Sequence, residues 1–459
     1  MNKIRTLVSV LALHLFFYNI TFSQSSQRID QLKNVIPPSP NSASLGKYGD
    51  WPVSLYTGLV SINIPLVELK GNEGSVPVGI SYHASGIKVG EVSSNVGLGW
   101  ALQAGGVITR SVKGLPDEDP AGYFQTRNLF NNPGDLSQGM INPSLDEQVQ
   151  SDIASGARDL DPDYYVFNAL GKAFVLFFDG QGNVLTQPYS KIKVTVNFVT
   201  KLWVVTLEDG TNLKFGGGEN FVERNICSCF GESSSNYISS WMLESVTYPN
   251  GEKFSFTYTQ TGFQNDMPYY EDMMKTVYKS IDVISQNIST IESNLGRIDF
   301  VYNSTNRQDI SNGGALSSIK LFSKTTNQYI RQYNFIQNYS QAAVGNYYSN
   351  NLSYFNFRLK LLSVEEVSPE NTTVKNAVWQ FQYNALSLPS RHSYAQDHWG
   401  YYNGATNNTT LLPQAGPFNP PTYIIANRAP DANFMQAEML VKVIYPTGGS
   451  SQFEYEPNG

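Results

Sequence analysis

The chain has 459 residues, a mass of 51.0 kDa and a formal net charge of −7, with 15% charged and 13% aromatic residues. Its 41% hydrophobic content is enough for sizeable cores, which excludes wholesale disorder, and the length suits about three domains or two large β domains. The acidic balance argues against nucleic acid as a partner, because phosphate binding needs concentrated Lys and Arg. With only 2 Cys, a disulfide scaffold and a cysteine-built zinc domain are excluded.

Residues 1–23 are typical of a secretory signal peptide. Lys3 and Arg5 form a basic start, residues 7–17 are almost all apolar, and a cut is predicted near Ser23. The apolar run is shorter than the roughly 20 residues that span a bilayer, which makes a retained anchor the less favoured alternative. We therefore expect an exported chain, secreted or at the cell surface, that is not an integral membrane protein.

Residues 24–116 form the first predicted β region. After a linker-like opening rich in Pro, Val60, Ile62 and Ile64 alternate with polar residues, and residues 76–82 alternate again. A period of two is that of half-buried strands, here separated by Gly and Pro turns.

A glycine-dense stretch with one tryptophan ends this region. Its candidate residues are Gly97, Gly99, Trp100, Gly105, Gly106 and Arg110. Because glycine permits positive φ and close backbone approach, a ligand could bind here. A buried Trp packed across a glycine-lined turn is the simpler interpretation, and we favour it.

Residues 117–158 are predicted to be a polar loop or insertion, since they show little periodicity and contain several Pro and Gly. A loop of this length is either functional or mobile. Asp119 followed by Pro120 resembles an acid-labile self-cleavage site, although chance explains the pair in a polar loop more simply.

Residues 159–459 are predicted to be a hairpin-rich β region. Residues 203–207, an Asp209-Gly210 turn and residues 213–215 indicate one compact hairpin. Residues 277–295 are ambiguous, because apolar residues fall at helical spacing but are mostly β-branched, among Ser, Asn and Thr. We interpret this segment as a strand.

A weak repeat relates residues 243–258 (LESVTYPNGEKFSFTY) to residues 440–455 (LVKVIYPTGGSSQFEY). Each has an apolar strand ending in Tyr-Pro, a Gly turn, and a second strand ending in Tyr; residues 318–335 and 361–383 are looser copies. The candidate residues of the last copy are Tyr445, Pro446, Gly448 and Gly449. Hairpins in succession predict a sheet that grows by repetition.

A further cluster, DHWGYYNG, occupies residues 397–404. Its candidate residues are Asp397, Trp399, Gly400, Tyr401, Asn403 and Gly404. Asp and His with exposed aromatics could stack a sugar ring or bind a metal. The favoured alternative is a turn whose Asp caps local N–H groups and whose aromatics pack into the sheet.

Sequence motifs for zinc hydrolysis, a nucleophile elbow, a phosphate loop or a dinucleotide site do not occur in the chain. Cys227 and Cys229 are separated by one residue, so a disulfide bond between them would be strained. A metal site built on the pair would lack further ligands with suitable spacing. Carboxylates such as Asp50, Asp163, Asp397 and Glu438 could serve glycoside hydrolysis, but their spacing selects no pair. We expect no catalytic residue, no cofactor and no metal.

Taken together, these blocks resemble the N-terminal, non-repeat region of secreted bacterial Rhs/YD-repeat proteins. The matching stretches, in the family's order, are residues 42–66, 76–89, 96–118, 397–404 and 427–456. The Gly-Leu-Gly-Trp block also looks like the start of SpvB-type regions in toxin-complex proteins. The resemblance implies tyrosine-rich hairpins that spiral into a hollow β shell around a C-terminal toxin or effector. The family's aspartyl self-cleavage site lies in a core domain outside the matched blocks, so no catalytic residue is carried over.

We therefore expect an all-β fold of hairpin-rich antiparallel sheets that begins an Rhs/YD-type β shell and carries one polar loop insertion. The expected function is structural and non-catalytic. Its expected partners are the downstream shell and the toxin or effector segment, in the same or an adjacent chain. The alternatives are a secreted adhesin that binds cell-surface glycans and, less favoured, a glycoside hydrolase. A turn signal at residues 457–459 after a strand suggests a fragment or a hairpin that pairs elsewhere.

Overall fold

The computed structural model describes residues 59–126, 151–153, 157–179, 181–227, 235–272, 275–342, 353–412 and 426–456. The predicted signal peptide, Asp50, most of the predicted polar insertion, Cys229 and the turn signal at residues 457–459 lie outside these residues. What the sequence analysis says of these residues therefore stays a prediction.

The regular secondary structure of the described residues is almost entirely β-strand, which confirms the all-β, hairpin-rich antiparallel prediction. The strands are β1 (Ser61–Lys70), β2 (Ser75–His83), β3 (Trp100–Ala104), β4 (Gly106–Ser111), β5 (Tyr164–Ala169), β6 (Lys172–Phe178), β7 (Val184–Gln187), β8 (Lys193–Asn197), β9 (Leu202–Thr206), β10 (Asn212–Gly216), β11 (Val222–Cys227), β12 (Ser235–Thr247), β13 (Lys253–Asp272), β14 (Lys275–Glu292), β15 (Gly296–Tyr302), β16 (Leu316–Ser323), β17 (Gln328–Gln341), β18 (Phe357–Val367), β19 (Lys375–Tyr383), β20 (Leu440–Ile444) and β21 (Ser450–Gln452). A helical turn, α1 (Tyr123–Thr126), further helical residues at 151–153, and 3-10 turns at Glu219–Phe221 and Ser353–Asn356 accompany them. Within the described residues, no helix is long and apolar enough to cross a membrane.

The described strands form two antiparallel sheets. The smaller contains β1, β2 and β3 in that order, and its buried positions include Ile62, Ile64 and Ile80, as the period of two predicts. In the larger, each strand from β12 to β21 pairs with the next along the chain. Strand β12 also pairs with β4, β10 and β11, and thereby joins the earlier hairpins to this succession.

The segment with helical spacing is the strand β14, which confirms the strand interpretation. It pairs with β13 along a register that runs from Ser255 opposite Glu292 to Asp272 opposite Lys275. Because the β-branched side chains of Val283 and other residues pack well on a pleated surface, cross-strand pairing overrides the helical spacing.

The compact hairpin predicted after residue 202 is also confirmed. Trp203 of β9 lies opposite Phe215 of β10, and the turn between the strands places Gly210 at φ +87°. Trp203 packs edge-on against Trp241, with 5.6 Å between ring centroids, and 5.1 Å from Tyr165. All of these aromatic side chains are fully buried, so this end of the core is built from rings.

Candidate functional site

Trp100, the centre of the glycine-dense stretch, is a packing residue and is 1% exposed. Its ring lies 5.3 Å from Tyr82 and 4.5 Å from Phe381. Its Nε1 donates to the Tyr383 hydroxyl at 2.9 Å, and that hydroxyl donates to the Leu361 carbonyl at 2.5 Å. The indole therefore joins the smaller sheet to β18 and β19, which confirms the prediction of a buried Trp.

The surrounding glycines make room for protein atoms. Gly99 has φ +73°, and a Cβ there would lie 2.6 Å from the Tyr82 ring. At Gly106 a Cβ would lie 2.4 Å from the Ala169 Cβ across the β4–β5 pair. Gly97 and Gly105 likewise have positive φ, so the stretch allows close backbone approach of one strand to another.

Arg110 on β4 belongs to a buried network of charged side chains. Sequence analysis did not identify the carboxylates that it binds. Its Nε donates to Asp163 Oδ2 at 2.7 Å, and its Nη1 and Nη2 donate to Glu118 at 2.9 and 2.6 Å. The other oxygen of Asp163 accepts the Lys113 N–H at 2.8 Å. The network fastens the segment that follows β4 to the start of β5.

Asp117, at the start of the predicted polar loop, is fully buried in the same network. Its Oδ1 accepts the Asp163 N–H at 2.9 Å and its Oδ2 accepts the Tyr165 hydroxyl at 3.1 Å. Burial, reinforced by the nearby Asp163 carboxylate, raises the pKa of Asp117 to about 7. Burial opposes ionisation of Glu118 too, but the Arg110 charge and hydrogen bonds lower its pKa below the usual range.

A raised carboxyl pKa is a mark of catalytic acids as well as of structural networks. Here both oxygens of Asp117 accept hydrogen bonds from the protein, and Arg110 is shared by two other carboxylates. We therefore interpret the cluster as a structural network that holds chain segments together.

The loop of residues 397–404 is organised by Asp397, as the capping prediction states. Asp397 Oδ1 accepts the Trp399 and Tyr401 N–H groups at 2.8 and 2.9 Å, which confirms that prediction. Gly400 has φ +93°, and Arg428 Nε donates to the Asp397 carbonyl at 2.9 Å. Side-chain capping and one outside Arg define this turn.

The second half of that loop contacts the later block that the resemblance singled out. Asn403 Nδ2 donates to the carbonyls of Asn427 and Ala429 at 2.9 and 3.0 Å. Gly404 has φ +70°, and a Cβ there would lie 2.5 Å from the Phe434 ring. Two blocks separated in sequence are thus one packed unit.

The aromatic side chains of this loop differ in exposure. Tyr402 is buried, but Trp399 is 63% exposed, so the prediction that the aromatics pack inward is wrong for Trp399. The capped turn directs its side chain away from the core. Tyr401 packs on Gly86, and Lys88 Nζ lies 5.9 Å from the centre of its ring.

The two halves of the sequence repeat form the same turn. The Gly251 N–H donates to the Tyr248 carbonyl at 2.9 Å, and the Gly448 N–H donates to the Tyr445 carbonyl at 2.9 Å. These glycines have φ +88° and +85°. The Tyr445 N–H also donates to the Gly449 carbonyl at 2.8 Å. The Tyr-Pro-x-Gly pattern therefore specifies a hairpin turn at both places.

Three tyrosines that end repeat copies, and also Tyr302, make the same kind of hydrogen bond. At four places in the described residues, the hydroxyl of a Tyr donates to a backbone carbonyl of an earlier strand, an arrangement we call the tyrosine latch. Three of these Tyr lie in a later strand, and Tyr455 follows β21. The bonds run from Tyr258 to Leu243, Tyr302 to Ile288, Tyr383 to Leu361 and Tyr455 to Leu440, at 2.9, 3.0, 2.5 and 2.6 Å. Burial raises the pKa of Tyr455 to about 12 and those of the others further, so every hydroxyl remains a donor.

The described carboxylates among those considered for hydrolysis sit in three separate hydrogen-bond networks. Asp163 bonds Arg110, Asp397 caps its own turn, and Glu438 accepts the Ser340 hydroxyl at 2.9 Å. In the part of the chain that the structure describes, no group of three or more His, Cys, Asp and Glu could hold a metal ion.

Two features of the structure were missed by sequence reasoning. Glu252 accepts N–H bonds from residues 72–74, which turn between β1 and β2, at 2.6, 2.9 and 3.3 Å. Arg307 and Arg391 converge on Asp309 in the interior. No local pattern signals the Glu252 bonds or the Arg391 bond, because their partners are far apart in the chain. Arg307 lies only two residues from Asp309, but the sequence does not show that this pair is buried.

Comparisons with known proteins found solved structures only; no protein-family model and no curated protein matches the chain. A TcdB2-TccC3-Cdc42 crystal structure is 13% identical over 72% of the chain, with a TM-score of 0.40. The Photorhabdus luminescens Tc holotoxin pore is 11% identical over 72%, with a TM-score of 0.39. The N-terminal domain of the effector SpvB from Salmonella typhimurium strain LT2 is 11% identical, covering 66% of this chain and 99% of that one, with a TM-score of 0.31.

The matched region spans 16% of the length of the two toxin-complex chains. Likeness at these scores assigns neither a family nor a function to the chain. Its all-β class rests on its own strand pairings.

Proposed function

We propose that this chain is a non-catalytic structural module, the N-terminal part of a secreted Rhs/YD-repeat protein that helps to build or cap a β shell around a toxin or effector. The observation that carries the proposal is the tyrosine latch, which recurs along the larger sheet. The order of the sequence blocks supports the same assignment.

The latches suit a wall that grows by repetition. Tyr258 and Tyr455 occupy equivalent positions in the two copies of the repeat, and each bonds the carbonyl of the first Leu of its own copy. A hydroxyl-to-carbonyl bond of this kind stabilises by about 1 kcal/mol, and it links consecutive strands. A sequence that repeats the hairpin and its tyrosine latch can add hairpins to the sheet, because each one uses the same stabilising bond.

The last hairpin offers a route of extension. Strands β20 and β21 form the same turn as β12 and β13, and β13 pairs onward with β14. A following repeat could pair with β21 in the same way, through backbone groups along its edge. The downstream shell is accordingly the partner we infer.

Protease protection in the complete natural gene product tests the proposal. The coding region that follows Gly459 is read first, and the whole product is then purified and digested briefly with a nonspecific protease. We expect YD repeats and a variable C-terminal segment that survives digestion, and that becomes sensitive when residues 59–456 are deleted. A product without repeats, or a segment equally protected after the deletion, would refute the shell function.

A second candidate is a glycan-binding adhesin, favoured by one observation. Trp399 is 63% exposed on a turn fixed by Asp397, and exposed aromatic rings can stack on sugars. Binding on a glycan array that is lost in Trp399→Ala and kept in Tyr189→Ala, a control at an 83% exposed ring, would support it. The absence of binding to any glycan would remove this candidate.

A further inference from the structure

Three buried arginines meet around one aspartate inside the described structure; we call Arg307, Arg358 and Arg391 the arginine cluster. Asp309 is 1% exposed, and Arg307 binds its carboxylate with two parallel bonds, at 2.9 and 2.7 Å. The Leu359 N–H also donates to Asp309 Oδ2, at 3.2 Å. The carboxylate is thus occupied by Arg307 and the β18 backbone.

Arg391 approaches the same aspartate from its backbone side. Its Nη2 donates to the carbonyls of Asp309 and Tyr354, and its guanidinium lies 5.0 Å from the centre of the Phe355 ring. Its Nε and Nη1 are buried and have no hydrogen-bond partner among the described residues. Three N–H donors of a charged group are therefore left over.

Arg358, the residue before Leu359, is a second buried arginine with an N–H donor left over. The side chain is 1% exposed, and Nη2 donates to the Val89 carbonyl at 2.7 Å. Its Nε is buried without a hydrogen-bond partner in the described structure. The next residue, Leu359, donates to the Asp309 carboxylate and Arg391 donates to the Asp309 carbonyl, so both arginines are held next to the same residue.

The positive charges of Arg358 and Arg391 are not matched by hydrogen-bonded carboxylates among the described residues. The Asp309 carboxylate is hydrogen-bonded by Arg307 and acts on Arg358 and Arg391 only electrostatically. Glu438 and Glu91 also act on Arg358 electrostatically, and Glu438 lies 3.8 Å from Lys360 Nζ. Burial lowers the pKa of Arg391 to about 10, which still leaves it charged at neutral pH. A buried charged donor without an acceptor is costly, and arginine cannot relieve the cost by losing its proton.

We propose that the arginine cluster holds a small inorganic oxyanion, phosphate or sulfate, bound by the unpartnered donors of Arg391 and Arg358. Such an anion supplies acceptors for these donors and a negative charge beside two guanidiniums whose described hydrogen bonds go to backbone carbonyls and not to carboxylates. Arginine is well suited to this, because its planar fork matches the oxygens of phosphate and sulfate. Water would satisfy the donors but not the charge.

The anion would act as a structural group. Arg391, Arg358 and Asp309 belong to separate segments of the chain, and Arg307 adds bonds to Ser93 and Asn95. An anion on the arginines would join these segments at one point. This inference is independent of the shell function.

The test begins with the protein as purified. The full chain is prepared in chloride buffer free of phosphate and sulfate, then denatured in acid, and the released anions are measured by ion chromatography. We expect about one phosphate or sulfate per chain. After exchange into chloride alone, added phosphate or sulfate should raise the unfolding temperature by several degrees relative to chloride at equal ionic strength, and the preferred anion identifies the occupant.

Two matched variants locate the effect. Arg391→Lys keeps the charge but removes the fork, and should lose the bound anion and the shift in unfolding temperature. Arg331→Lys, at an exposed arginine of β17, should keep both. If Arg391→Lys does not fold, the wild-type measurements decide by themselves. A wild-type chain that releases neither anion and shows no anion-specific stabilisation overturns the proposal, as does an Arg391→Lys chain that binds like the wild type.

Discussion

The tyrosine latch can be tested by removing one hydroxyl from Tyr258. Tyr258→Phe keeps the ring and deletes only the bond from the hydroxyl to the Leu243 carbonyl at 2.9 Å. Because that hydrogen bond is partly buried in the folded chain, its loss should lower the free energy of unfolding by about 1 kcal/mol. The cost rises towards about 3 kcal/mol if the carbonyl is left without another donor.

The assay is urea unfolding of residues 24–459, followed by tryptophan fluorescence and circular dichroism. Tyr189→Phe is the matched control, because Tyr189 is 83% exposed and its variant should change the free energy by less than about 0.5 kcal/mol. Tyr455→Phe, which breaks the equivalent latch, should resemble Tyr258→Phe, and the double variant should be additive within about 0.5 kcal/mol. If Tyr258→Phe changes the free energy of unfolding as little as Tyr189→Phe does, the tyrosine latches do not stabilise the sheet. The proposed structural function would then lack its main support.

Three further predictions concern charge and packing. Since the pKa of Asp117 is raised from 3.8 to about 7, its folded form holds a proton that the unfolded form releases, so stability should fall as pH rises from about 4 to 7, by at most about 4 kcal/mol. Asp117→Asn should flatten that part of a stability profile measured by urea unfolding; an unchanged profile would contradict the assignment. Glu252→Ala should speed amide hydrogen exchange at residues 72–74 with little change elsewhere, and equal exchange in the two proteins would argue against the tether. Trp100→Ala should cost about 3–5 kcal/mol in thermal or urea unfolding, because a fully buried indole and its hydrogen bond are lost, whereas a cost under about 1 kcal/mol would mean that Trp100 is not a core residue.

Local pattern was a good guide wherever neighbours in the chain are also neighbours in space. The alternation at Ile62 and Ile64 predicted β1, and Asp209-Gly210 predicted the turn between β9 and β10. The Tyr-Pro-x-Gly pattern predicted two equivalent hairpins, and the capping role of Asp397 followed from the prediction of a turn at residues 397–404. In each case the interaction spans only a few residues or one hairpin.

The partners of buried charges could not be read in the same way. Arg110 was grouped with the glycines beside it, yet its carboxylates come from Glu118 and from Asp163, which is 53 residues away. The arginine cluster joins Arg391 to Asp309 across 82 residues. Such pairings depend on where whole strands lie, and any Asp or Glu in the sequence is an equal candidate.

The sequence by itself determined that this protein is built from β hairpins, because alternation, turn chemistry and the Tyr-Pro-x-Gly repeat act over short distances. It also led to the expectation of export and of an Rhs/YD-type relationship. Only the tertiary structure decided which hydroxyls and carboxylates do which task. Tyr258 and Tyr455 became latches, Trp100 became core and Trp399 became surface, because burial and long-range strand pairing, rather than residue type, select the partners of a side chain.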